Sequence, residues 1–127
     1  MLKNAPVRAS LPAVDIERAK SFYAERLGLT PSTEDKGGLL YECGDGTGFV
    51  LFSSRGAASG QYTQATFQVA DVTAEVVELK RRGVAFEEYD FPGLKTVDSI
   101  ANLPNGARSA WFKDSEGNMI AVVQRPT

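Results

Sequence analysis

Histidine is absent from this chain, cysteine occurs only as Cys43, and neither sign of charge dominates, with 14 Lys and Arg against 16 Asp and Glu. Histidine is the usual general base near neutral pH and the commonest metal ligand, so a Ser-His-Asp triad, a Cys-His pair and an imidazole-based metal centre are all excluded. A metal site would have to be assembled from carboxylates, amides or the one thiol. One cysteine cannot close an internal disulfide or form a CxxC motif, in keeping with a reducing compartment. A net charge of −2 with both signs interspersed leaves no basic footprint, so no nucleic-acid partner is expected. No apolar run has bilayer length, and Met1-Leu2-Lys3-Asn4-Ala5-Pro6 lacks the apolar core of a secretion signal; no membrane partner and a cytoplasmic location are the expectations.

The residues present describe an ordinary globular protein. With 127 residues, 43% of them hydrophobic and 24% charged, the chain can bury one real core and is too short for two independent ones. Val7 to Val14 alternates apolar and polar positions and reads as a strand. Asp15 is placed to cap a helix carrying Ile16, Ala19, Tyr23 and Leu27 at helical spacing, and Gly28 ends it. Leu39 to Cys43 and Phe49 to Phe52 read as strands joined by Gly44-Asp45-Gly46. After a small, polar connector the pattern restarts. Thr63 to Val69 alternates, Asp71 is a second cap, Val72, Val76 and Leu79 form a second stripe, and Gly83 is a second stop. Strand candidates at Ala85 to Tyr89, Ser109 to Phe112 and Met119 to Val123 follow, the last two joined by the turn Asp114-Ser115-Glu116-Gly117-Asn118.

The halves repeat. Asp15-Ile16 matches Asp71-Val72 at an offset of 56, and Tyr41 to Leu51 matches Trp111 to Ala121 at an offset of 70. The expected architecture is α+β, with two tandem βαβββ modules in a single domain over 1–127: module 1 at about 5–54, a connector at about 55–60 and module 2 at about 61–125. The larger second offset points to an insertion, Phe91 to Asn105, expected as an irregular loop that could close as a lid, with Lys95 and Asp98 upon it.

Leu11-Pro12-Ala13-Val14-Asp15-Ile16 continuing to Phe22-Tyr23 and Leu27-Gly28-Leu29, together with Trp111-Phe112-Lys113-Asp114-Ser115-Glu116-Gly117-Asn118, resembles the vicinal oxygen chelate superfamily over essentially the whole chain. That superfamily holds glyoxalases, bleomycin-resistance proteins, fosfomycin-resistance enzymes and extradiol dioxygenases. The resemblance implies two half-barrels around a concave cleft and, in metal-dependent members, four ligand positions. These fall here on Arg8, Leu51, Gln64 and Ala121. Leucine and alanine offer no lone pair, Arg8 carries a permanent positive charge, and one amide does not hold a cation, so no metal and no cofactor are expected.

Residues two apart on a strand share a face, and with those positions as anchors the expected ligand-binding lining is Arg8, Ser10, Tyr41, Phe49, Leu51, Tyr62, Gln64, Thr66, Ser109, Trp111, Met119 and Ala121. Val7, Ala9, Leu11, Ala65, Phe67, Val69, Phe112, Ile120 and Val122 are expected to face the core. Such a lining suits a flat or aromatic small molecule. Each residue also has a plainer role. Arg8 either clamps a ligand or pairs with an acid of Glu87-Glu88-Tyr89-Asp90; Trp111, Tyr41 and Tyr62 stack on a ligand or fill space; Cys43, lacking a histidine to deprotonate it, reads as an inert thiol; and Glu87-Glu88 is a base or a solvated edge. Two specific functions and one plainer one remain. One is sequestration of a hydrophobic or aromatic molecule, as in antibiotic-resistance members, with Arg8 disfavouring a cation such as bleomycin. The other is a metal-independent lyase or isomerase of secondary metabolism, with Arg8 as electrostatic stabiliser and Tyr41 or a Glu as acid or base; a purely interacting role is a third. No catalytic residue is assigned, and a homodimer, side by side or module-exchanged, is expected.

Overall fold

The computed structural model describes residues 1–126. Strand β1 (Ala9–Ala13) leads into helix α1 (Ile16–Leu27), followed by β2 (Thr33–Asp35), β3 (Gly38–Glu42) and β4 (Gly48–Ser53). The second half runs β5 (Thr63–Gln68), α2 (Val72–Arg81), β6 (Asp90–Phe91), β7 (Leu94–Val97), β8 (Ile100–Asn102), β9 (Arg108–Lys113) and β10 (Met119–Gln124). The strands form a four-stranded sheet in the order β1-β4-β3-β2 and a six-stranded sheet in the order β5-β10-β9-β8-β7-β6. In each, the strand before the helix lies parallel to the last strand of its half, which is the βαβββ pattern used twice.

Both helices begin where capping chemistry starts them. The Asp15 carboxylate accepts from the Arg18 amide and the Asp71 carboxylate from the Ala74 amide, each satisfying a donor that has no partner within its helix. Gly28 ends α1 in the left-handed conformation, φ 71°, which glycine adopts without a Cβ clash. The buried stripes Ala19 and Tyr23 on α1 and Val72, Val76 and Leu79 on α2 meet the inner faces of the sheets. Tyr23 lies 5.5 Å from the Tyr41 ring and 5.4 Å from Phe49, while Tyr41 and Phe49 stack at 4.7 Å.

A buried polar cluster joins the halves. The β9–β10 turn places Glu116 against the start of α1, where its carboxylate accepts from Arg18 Nε at 2.8 Å, Arg18 Nη2 at 3.0 Å and the Asp15 amide at 2.9 Å. Asp114, also buried, accepts from the Tyr23 hydroxyl at 2.6 Å and from the Asn118 side chain at 2.8 Å, and Asn118 Nδ2 reaches the Pro12 carbonyl. Burial beside this acid drives the Tyr23 hydroxyl pKa strongly upward, so it remains a donor.

Three local expectations are corrected. Ala85 to Tyr89 is not a strand; it makes one bridge, Phe86 to Phe112, and a bond from the Glu87 amide to the Trp111 carbonyl. The stretch Phe91 to Asn105 is not an irregular lid, because β7 and β8 within it extend the second sheet. Their hairpin turns at Asp98 and Ser99, both with positive φ, a pair without the glycine that usually marks such a turn. A residue distant in sequence supports it: Glu88 accepts from the Thr96 hydroxyl at 2.6 Å, the Ser99 hydroxyl at 3.0 Å and the Ser99 amide at 3.2 Å. Finally, Val7 lies ahead of β1 and is 89% exposed rather than in the core.

Candidate functional site

The outer, helix-free faces of the sheets follow from strand register. Ser10 pairs with Val50, and Val50 with Leu40; in the second sheet Thr66 pairs with Ala121, and Ala121 with Trp111. The halves therefore superpose with Val50 on Ala121 and Leu40 on Trp111, each pair 71 residues apart rather than 70. A slip of one residue moves a strand's whole side-chain set to the other face. Tyr41, Phe49 and Leu51, expected in the cleft lining, accordingly share a face with Leu11 and are buried in the core at 0%, 4% and 0% exposure. Leu40, Val50 and Phe52 take the open face instead.

On the second sheet Thr66, Ser109, Trp111 and Ala121 share the open face, and pairing carries it through Ala101 to Thr96. Ser109, Met119 and Ala121 have almost no accessible surface within the chain and act as floor. Trp111 is half-buried and Thr66 exposed. Gln64 is the extra residue of a bulge where pairing shifts between Met119 and Ile120. Tyr62 precedes β5 and is 70% exposed, and Arg8 precedes β1 and is also exposed. Arg8 makes no ion pair to the 87–90 segment among the described residues; Glu87 pairs with Lys113 at 3.7 Å.

Sequence periodicity passed over Tyr89 and Phe91. Tyr89 meets Trp111 edge-on, with ring centroids 5.6 Å apart and planes at 73°, and Phe91 meets Tyr89 at 5.9 Å and 71°. The three rings form a continuous run from the open face of β9 to the exposed Phe91 at the β6–β7 hairpin. The signal available in sequence was the aromatic spacing 89, 91 and 111, which becomes a cluster only once the 86–87 segment is hydrogen-bonded beside β9.

Acid–base candidates fare differently. The Glu88 carboxyl is held below its ordinary range by the Thr96 and Ser99 donors, which suits an anchor rather than a base. Tyr41 lies in the core with its hydroxyl unpartnered among the described residues, and burial raises its pKa to about 12. It therefore cannot serve as an acid or base on the open face. Burial also raises the Cys43 thiol pKa, which lowers its thiolate fraction. The corrected chelate positions are Arg8, Val50, Gln64 and Ala121, and this donor set does not fit a divalent cation: two side chains have no lone pair and one is cationic. Among the described residues no three His, Cys, Asp or Glu gather as a metal-binding group.

Two βαβββ halves, each a sheet with one helix-backed face and one open face, define an α+β protein of two tandem modules. The family model for the Glyoxalase/Bleomycin resistance protein/Dioxygenase superfamily matches residues 6–122, and the chain belongs to that family. Among solved structures it resembles TnmS3, an antibiotic binding protein from Streptomyces sp. CB03234, at 25% identity over 100% of this chain and 99% of that one, with a TM-score of 0.66. A lactoylglutathione lyase from Agrobacterium tumefaciens is likewise 25% identical, over 95% of this chain and 93% of that one, at a TM-score of 0.65. A bleomycin-binding protein complexed with bleomycin shares the fold at a TM-score of 0.72 and 19% identity, over 96% and 99% of the two chains. A search of curated proteins found no match.

Proposed function

We propose that this protein binds a flat, aromatic or hydrophobic small molecule on its open sheet face without a metal, and sequesters it as a resistance or natural-product-binding protein. The observation that carries this reading is the Trp111–Tyr89–Phe91 run beside a set of chelate positions in which Gln64 alone offers a donor. Edge-to-face rings present both ring faces and edges to a planar ligand, a geometry each such contact rewards with about 0.5–1.5 kcal/mol beyond area burial. The antibiotic binding described for TnmS3 supports the binding arm, and the lyase likeness is answered by the donor set, which offers metal-assisted chemistry a single carboxamide. A homodimer, in which a second copy covers the open face, and a cytoplasmic location belong to the same reading. No helix among the described residues is long and apolar enough to cross a membrane.

Titration with planar aromatic natural products, followed by quenching of Trp111, the chain's one tryptophan, tests the proposal. Saturable quenching with the ligand recovered unchanged by mass spectrometry is expected; conversion of the ligand over many equivalents overturns sequestration. Zinc, nickel or manganese should leave the melting temperature unchanged, and a saturable rise would refute the metal-free cleft.

A further inference from the structure

Where the edges of β1 and β5 approach each other, a cavity of about 470 Å3 lies between the two sheets. We propose that this seam cavity is an inner compartment of the cleft and receives the protonated amine end of an aromatic ligand. It extends the small-molecule reading above by adding a ligand class. The volume lies within the range of small-molecule sites, about 300–1,000 Å3. Phe49 and Phe67 meet edge-to-face in its lining, 6.1 Å apart at 86°; Phe49, 4% exposed, belongs to the core behind the compartment, and the half-buried Phe67 offers the apolar surface to a ring. Thr47, Thr66, Gln68 and Cys43 are the uncharged polar and thiol-bearing residues of the lining.

Asp45 is the one charged side chain among the lining residues, and it stands on the turn Gly44–Gly46 with a left-handed φ of 56°. A carboxylate beside aromatic rings favours an ammonium carried on an apolar body and repels an anion. Arg8 lies close by: its Nε is 3.4 Å from where a Cβ on Gly48 would stand. The cleft is thus polarised, positive at Arg8 and negative at Asp45. Arg8 therefore disfavours a cation along the Gly48 wall, and the ammonium is assigned to the Asp45 turn at the other end of that lining.

Because Cys43 is the only thiol, disulfide capture reads this cavity alone by intact mass. The full chain is equilibrated, in fixed excess 2-mercaptoethanol, with three equal-sized aryl disulfides bearing an aminomethyl, a hydroxymethyl or a carboxylate group. Capture of the amine should exceed that of the alcohol about threefold, the yield of one partly exposed ion pair, with the carboxylate lowest. Asp45→Asn should abolish the preference while keeping the turn, since asparagine tolerates positive φ. Equal capture of all three, no capture, a preference for the carboxylate, or a preference that survives Asp45→Asn overturns the proposal. Trp111 quenching reports the open face separately, so failure of the broader reading shows as lost quenching with the Cys43 ranking intact.

Discussion

Replacing Glu116 by glutamine tests the polar cluster that joins the two halves. The residue is 3% exposed, and its carboxyl pKa is held at about 2, first by the Arg18 hydrogen bonds and further by the Asp15 amide and Ser115. Glutamine keeps the shape and one acceptor oxygen but loses the charge. A fall from 4.5 to about 2 corresponds to an upper limit of about 3 kcal/mol. The Arg18 side chain is 54% exposed, so solvent screening reduces the expected loss to about 2 kcal/mol at pH 7. The sign of its pH dependence follows from linkage. A carboxyl with a depressed folded pKa stabilises fully above its unfolded value near 4.5, and that contribution is lost as pH falls toward 2.

The difference in unfolding free energy between wild type and Glu116→Gln, from urea titrations, should therefore be flat from pH 7 to about 5, fall steadily below about 4.5 and approach zero only near pH 2. An Arg18→Met partner should show a coupling of about 1–2 kcal/mol with Glu116→Gln in a double-mutant cycle. A gap that stays constant down to pH 3, or one below about 0.5 kcal/mol at pH 7, would refute the reasoning, because the charge of Glu116 would then contribute nothing across the join.

Tyr23→Phe removes a buried donor to Asp114 and should cost about 1.5–3 kcal/mol in the same titrations, although Asn118 still bonds the orphaned carboxylate; a neutral substitution would show that a water had taken its place. Trp111→Leu should weaken ligand binding about tenfold by calorimetry, since the ring run loses its inner member, whereas an unchanged affinity would move the site off β9. Glu88→Ala should speed amide exchange at Ser99 by releasing three hydrogen bonds, and unchanged protection there would mean that the hairpin holds its positive-φ turn unaided. Val69→Ile adds a methylene beside the apolar hollow of about 130 Å3 between Leu27, Leu29 and Phe112, and should raise stability by up to about 0.8 kcal/mol; a loss would show that the hollow cannot admit it.

What lay in the sequence alone was whatever depends on neighbours a few positions away. Asp15 and Asp71 cap because their carboxylates reach amides three residues on, Gly28 stops α1 because only its own φ is involved, and the helical stripes declare themselves by period. The twofold βαβββ order was legible in the same way. Tertiary structure decided the rest, because strand register is a relation between distant segments. Local alternation places Phe49 and Leu51 together on one face but says nothing about whether that face lies with Leu11 or with Ser10. The pairing of Ser10 with Val50 settles it, and that single residue of register transferred Tyr41, Phe49 and Leu51 from cleft to core. The Asp98-Ser99 turn also escaped local rules, since its support comes from Glu88, eleven residues before Ser99. The aromatic run arose likewise, with Tyr89 and Trp111 meeting only after the 86–87 segment is fastened beside β9. Short-range hydrogen bonding and periodicity wrote the elements into the sequence, while long-range pairing chose which of their faces a ligand can meet.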